Sequence, residues 1–205
     1  MSKRIRHHVN PLSMNYLDFE VKKPLLDHRF TEVELGCAEG EFIFDRTNDK
    51  PEHRIIGLEI RRSLIDDINS KAKGNFPAIT GVFCNINTHI PRLFPKETVD
   101  RFFINFPDPW FKKDHHKRRV VSPSLLSELV SSLKPNGEIF FQSDIFDLAM
   151  DAMSVFEEFG PQYGIYNVLS EWSFMRNNPF GTMSRREKYV TEEGLRVWRI
   201  LYRLG

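Results

Sequence analysis

The chain has 205 residues, room for one α/β domain with a full core or two small domains. Its composition is that of a globular protein, 40% hydrophobic and 28% charged, and 18 phenylalanines point to an aromatic-rich core. The formal net charge of +1 means that a polyanionic partner has to be read from where basic residues cluster, not from the total. Cys37 and Cys84, the two cysteines, are far apart and form no framework of disulfides, which suits a reducing, cytoplasmic setting. No run approaches the roughly 20 apolar residues of a membrane-spanning helix. The basic start "MSKRIRHHVNPLS" has no apolar stretch behind it, and reads as neither a secretory signal nor an anchor.

Along the chain, strand and helix patterns alternate. "TEVELG" (31–36) reads as a short buried strand stopped by Gly36, and 40–49 as a short helix. "HRIIGLEI" (53–60) is a second strand. Residues 61–74 place Leu64, Ile65 and Ile68 on one helical face and stop at Gly74. "PAITGVFC" (77–84) and "VDRFFINF" (99–106) are the third and fourth strands. Ser122 caps a helix over 122–133 with Pro123 in its first turn. After the turn "KPNG" comes a fifth strand, "GEIFFQSD" (137–144), then an amphipathic helix over 145–160 closed by Gly160. Residues 163–172 and 195–204 read as further strands, with loop at 177–182. Neither repeat nor linker interrupts the chain, so one domain over 1–205 is expected. Its core is a parallel sheet covered on both faces.

In such a sheet, ligands bind beyond the carboxyl ends of the strands. Five successive strands deliver polar groups there: Glu34, Glu59, Asn85, Asp108 and Asp144. One acid at a strand end is ordinarily a helix cap or a solvated charge. Five in register, beside a glycine loop, argue for a shared site. The loop, Gly36-Cys-Ala-Glu-Gly40, lacks the GxGxxG spacing of a pyrophosphate cradle and disfavours a nicotinamide dehydrogenase. It suits a nucleoside. Glu59 is placed to accept ribose hydroxyls, and Asn85 to pair with an adenine edge. S-adenosylmethionine meets these demands, because acidic walls suit its cationic sulfonium and no phosphate has to be accommodated.

From Lys112 to Arg119 stand five Lys/Arg and one Asp, with His115 and His116 besides. A run of this kind is usually a solvated face. Here it follows the strand that delivers Asp108, with Trp110 at its head, so a phosphate backbone held outside while one base enters is the functional alternative. Lys3, Arg4 and Arg6 at one end of the chain, and Arg176, Arg185, Arg186 and Lys188 at the other, extend the patch. The adjacent histidines point apart and have no third ligand at suitable spacing, so no metal is expected.

"FPDPWFKKDHHKRRVV" resembles the signature of bacterial tRNA (guanine-N7-)-methyltransferases. "VELGCAEGEFI", "IIGLEIRRSLI", "RHHVNPLS" and "MSRREKYVTEEGLRVWR" are similar to the same family, and the match spans nearly the whole chain. The resemblance implies a Rossmann-like class I S-adenosylmethionine-dependent methyltransferase fold, with a mostly parallel seven-stranded sheet and a reversed last strand. It implies a single methyltransferase domain, residues 1–15 being a basic arm, that acts in tRNA modification on a guanine of the variable loop. Glu34, Gly36, Glu59, Asn85 and Asp108 would correspond to cofactor contacts, Asp108 also to the catalytic position. Lys112 and Asp144 would correspond to tRNA contacts, and Ser184-Arg185-Arg186-Glu187 to the Thr-x-x-Glu element. Ser-x-x-Glu is equally a capping box for a helix ending at Gly194, and both roles are compatible.

The chain departs from the family pattern at four places. Ser184 replaces threonine, Asn85 an aspartate, Phe111 a proline, and Ala38 a glycine whose replacement should keep that backbone from positive φ. Guanine N7 carries a free lone pair, so methyl transfer needs alignment and electrostatics, with no proton to remove first. Asp108 is the expected carboxylate near the accepting ring, and Asp144 or Glu187 the reader of the guanine edge. The rival readings are a non-catalytic RNA-binding module on the same scaffold and a methyltransferase for a non-RNA substrate.

Overall fold

The computed structural model describes residues 9–205. In chain order it contains α1 (Met14–Leu17), β1 (Thr31–Leu35), α2 (Glu41–Asp49), β2 (Arg54–Glu59), α3 (Arg62–Ala72), β3 (Ile79–Phe83), α4 (Ile86–Leu93) and β4 (Val99–Asn105). A 3-10 segment (Lys113–Arg118) leads to α5 (Pro123–Ser132), β5 (Leu133–Ser143), α6 (Phe146–Phe159), β6 (Ile165–Asn167), α7 (Arg185–Glu192) and β7 (Trp198–Leu204). The sheet order is β3-β2-β1-β4-β5-β7-β6. The pairs among β1 to β5 are parallel, and β7 runs antiparallel to both its neighbours.

Burial explains the assignment. β1 and β2 are buried at every position, as strands covered on both faces must be. One face packs Val33, Ile56, Phe102 and Phe141 against α4, α5 and α6. The other packs Ile55, Phe103 and Phe140 against Ile43 of α2 and Ile65 and Ile68 of α3. Chain order reverses between β1 and β4, which opens a crevice at their carboxyl ends.

A row of charges crosses the second face. Register places Glu32 of β1 beside Arg101 of β4, Arg101 beside Glu138 of β5, and Glu138 beside Arg203 of β7. The signs alternate and the neighbours pair at 2.6 to 2.7 Å. The buried Arg46 of α2 donates both Nε and Nη2 to Glu32. Burial alone would raise the Glu32 carboxyl; His53, Arg46 and Arg101 around it prevail and hold it at about 2.

Three local expectations change. A helix, α4, occupies 86–93, capped by Asn85, whose side chain accepts from Asn87 N; its internal Pro91 hides it from a periodicity reading. The strand expected over 163–172 shrinks to β6, because Asn167 turns the chain by accepting from Leu169 N and donating to the Ser173 carbonyl. β5 begins earlier than expected, at Leu133, with a register shift against β4 between Val99 and Arg101. Among the described residues no helix is long and apolar enough to cross a membrane.

Candidate active site

A cavity of about 470 Å³ lies in the crevice, within the size range of cofactor sites. It collects most of the side chains expected there. Glu34, Gly36, Glu59, Asn85 and Asp108 line it from the sheet side. Ser184, Arg185 and Arg186 line it from the start of α7, and Trp110 and Arg118 from the segment after β4. The buried acids Glu34 and Glu59 lie on its floor, and its outer lining carries both signs, with exposed Glu39 and Glu41 beside Arg185 and Arg186.

Glu34 is the most perturbed carboxylate of the floor. Its Oε1 accepts from Asn105 Nδ2 at 2.9 Å, whereas its buried Oε2 has no hydrogen-bond partner. Burial pushes the carboxyl up to about 8; the charge of Glu59 adds to this and the Asn105 hydrogen bond opposes it. A buried carboxyl of this kind, aimed into a cavity, fits a cationic ligand and disfavours an anion. That donor set therefore suits S-adenosylmethionine.

Glu59 ties the glycine loop to β2. Its Oε2 accepts from Ala38 N at 3.1 Å, and its Oε1 from the backbone nitrogens of Ile60 and Arg61. The half-buried Arg61 guanidinium pairs with it at 2.8 Å. The expectation that Ala38 avoids positive φ is corrected: its φ is 49°. The hydrogen bond to Glu59 and the neighbouring bond from Cys37 N to Leu58 O hold the loop in that conformation, at a cost of about 1–2 kcal/mol for a residue with a Cβ. Phe106 (φ 47°) and Trp110 (φ 44°) also line the cavity, so left-handed backbone gathers around it.

Asn85 is placed in the wall, yet its amide is already committed. Nδ2 donates to the carbonyls of Pro11 and Tyr16, at 2.8 and 3.0 Å, while Oδ1 caps α4. The side chain thus clamps the chain before β1 over the cavity, where Val9 and Pro11 complete the wall. Both amide hydrogens are engaged, so the expected pairing with an adenine edge has no free donor.

The basic run is divided between two tasks. Arg118 lies over the Trp110 ring at 5.0 Å and lines the cavity. Arg119 pairs with Asp151 and donates to the Pro109 carbonyl, so it fixes the turn that carries Asp108. Lys112, Asp114, His116 and Lys117 are exposed. Lys112 lies outside the cavity wall, as do Asp144 and Glu187. Asp144 pairs with Arg186 at 2.5 Å, beside the mouth. Glu187, expected as an alternative reader of the guanine edge, has its carboxylate fully buried and hydrogen-bonded by Arg199, Gln142 and Asn178. Ser184 does cap α7, its Oγ accepting from Glu187 N at 3.2 Å. Asn105, Arg61 and the N-terminal wall were not anticipated; the one signal was the polar residue ending the apolar "FFIN". Lys3, Arg4 and Arg6 lie outside the described residues. Among the described residues no cluster of three or more His, Cys, Asp or Glu is arranged to hold a metal.

A seven-stranded sheet with its cavity at the β1/β4 reversal and an antiparallel seventh strand defines a class I methyltransferase. Solved structures share that fold: the 16S rRNA methyltransferase KamB aligns with a TM-score of 0.63 at 12% identity, over 86% of this chain and 88% of that one. A SAM-dependent methyltransferase from Aquifex aeolicus aligns with a TM-score of 0.57 at 12% identity, over 86% and 82%. A family model described as "Putative methyltransferase" matches residues 28–200. The tRNA (guanine-N(7)-)-methyltransferase of Synechococcus sp. (strain CC9902) is 35% identical over 97% of this chain and 87% of its own length. That of Thermosynechococcus vestitus is 31% identical over 97% and 94%. The chain belongs to the tRNA (guanine-N7-)-methyltransferase family.

Proposed function

We propose that the protein transfers the methyl group of S-adenosylmethionine to N7 of a guanine in the variable loop of tRNA. One observation carries the reading: Glu34, Glu59 and Asp108 meet in a single cavity whose mouth is lined by Arg118, Arg185 and Arg186. When bound, S-adenosylmethionine supplies an electrophilic methyl group on a cationic sulfur. Glu34, with its unpartnered oxygen, would face that cation. Glu59, which pairs with the half-buried Arg61, would accept from the ribose hydroxyls. Asp108 stabilises the positive charge that develops on the accepting purine. Arg185 and Arg186 hold phosphates at the mouth, and the exposed Lys112 holds one outside it. Reading of the guanine edge falls to Asp144, which lies beside the mouth and pairs with the partly exposed Arg186, whereas Glu187 is fully buried.

Residues 1–205 act as one methyltransferase domain, working in the cytoplasm on tRNA; strands from Thr31 to Leu204 contributing to one sheet support the single domain. The test is mass spectrometry of nucleosides from unmodified tRNA incubated with the protein and S-adenosylmethionine. The expected product is 7-methylguanosine in the variable loop. Methylation only at another base, or of protein but not tRNA, would overturn the assignment.

A further inference from the structure

Beneath the cavity lies a row of polar side chains that the chemistry above does not use. Register sets Asn105 of β4 beside Gln142 of β5, and Gln142 beside Arg199 of β7. Asn105 donates to Glu34 on one side. Gln142, fully buried, gives one amide hydrogen to Asn105 Oδ1 at 2.9 Å and the other to Glu187 Oε2 at 2.8 Å. Its Oε1 accepts from Arg199 Nε at 3.2 Å. Arg199 then donates Nη2 to Glu187 Oε1 and Nη1 to the Arg176 carbonyl. An unbroken chain of hydrogen bonds runs from Glu34 through Asn105 and Gln142 to Glu187. It ends at the first turn of α7, whose Ser184, Arg185 and Arg186 line the mouth.

The chain has a fixed direction. Arg199 can only donate, so it fixes the Gln142 oxygen and turns the Gln142 amide hydrogens toward Asn105 and Glu187. Asn105 then accepts from Gln142 with its oxygen and turns its amide nitrogen toward the Glu34 carboxyl. With every donor and acceptor on Gln142 engaged, a movement at either end strains a bond at the other. Buried rows of this kind polarise cooperatively. A cation that ionises Glu34 makes the Asn105 bond charge-assisted and shorter, and Asn105 in turn draws on Gln142.

We propose that Gln142 and Arg199 are positioning residues that couple the cofactor pocket to the tRNA-facing helix α7, so that cofactor and tRNA each strengthen binding of the other. The inference rests on the reading of the cavity as a methyltransferase site. It assigns to the buried Glu187, together with its two partners, the transmission of a signal and no contact with the base.

The test compares tRNA affinity with and without sinefungin, an unreactive cofactor analogue with an ammonium group in place of the sulfonium methyl, in the wild type and in Gln142→Met. In the wild type the analogue should tighten tRNA binding about fivefold or more. In Gln142→Met each ligand alone should bind within about twofold of the wild type, while the coupling falls to near unity. A merely structural role for Gln142 would weaken stability and both affinities but preserve the ratio, and that result overturns the proposal. A readout that needs no variant is amide hydrogen exchange over 185–192 in the wild type. Sinefungin should slow exchange there, and unchanged exchange with the analogue demonstrably bound also overturns it. Failure of the wild type to bind sinefungin at all would instead remove the reading of the cavity on which the inference stands.

Discussion

Replacing Glu34 with glutamine keeps the shape and the acceptor for Asn105 but removes the buried ionisable group. The carboxyl stands at about 8 in the folded protein, against an ordinary value of 4.5. As pH rises the unfolded chain loses this proton first. The folded state therefore binds more protons between the two values, and stability falls across that window. At about 1.4 kcal/mol per pH unit, the 2.5 units from 4.5 to pH 7 disfavour folding by about 3 kcal/mol, and the penalty levels off above pH 8. Glu34→Gln abolishes this slope. Urea unfolding of the two proteins at a series of pH values should give stabilities whose difference shifts in favour of the variant by about 3 kcal/mol from pH 4 to pH 7. Cofactor affinity should move oppositely, since the variant has no charge to offer the cation. Calorimetry of the wild type in buffers of different ionisation heat should show a proton released on binding at pH 7. Parallel stability curves, with no proton released, would refute the argument that Glu34 is a buried acid awaiting a cation.

Asp108→Ala should lower methyl transfer at least about 100-fold while the protein stays folded; near-normal turnover with intact circular dichroism removes Asp108 from the reaction. Lys112→Ala should weaken tRNA binding and reduce the slope of log affinity against log salt by about one unit, and an unchanged slope rejects the phosphate contact. Asn85→Asp can still cap α4 but cannot donate to the Pro11 and Tyr16 carbonyls. Hydrogen exchange over 9–17 should accelerate, corresponding to about 1–3 kcal/mol of local stability, and unchanged protection would show that the clamp is unimportant. Glu32→Gln leaves Arg46 and Arg101 short of a buried partner and should cost about 3–5 kcal/mol at pH 7. Because the wild-type group is held at about 2, its stabilisation is present above 4.5 and is lost as pH falls toward 2, so the difference between the proteins should close in acid. A gap that persists at low pH contradicts the ion-pair origin.

The parallel strands were legible because double-sided burial makes them continuous apolar runs, and once they were placed, the residues at their ends followed from the topology rule. Glu34, Glu59 and Asp108 were found in this way without any knowledge of packing. The sequence does not show where a side chain turns. Glu187 stands in a capping box, and nothing local says that its carboxylate faces inward to Arg199. Asn85 has the donors to meet an adenine, but its partners lie on a segment nearly seventy residues earlier. Ala38 was expected to keep to ordinary backbone because the hydrogen bond that holds it comes from another strand. α4 was hidden by Pro91 and by its own brevity. At Glu187, Asn85 and Ala38 a long-range contact overrides a local preference.

The reversal of β7 has a consequence for how such an enzyme acquires its specificity. β7 begins at the carboxyl end of β5, where Trp198 sits beside Ser143, and β6 runs toward that same edge, its last residue Asn167 pairing with Tyr202 near the other end of β7. The chain after β6 therefore runs along β7 toward the reaction side, and re-enters β7 from that side. Met175 and Glu187 tie this stretch to β7 and β5, so the segments between those anchors can be lengthened, shortened or rewritten to suit a different nucleic acid while the sheet beneath keeps its register.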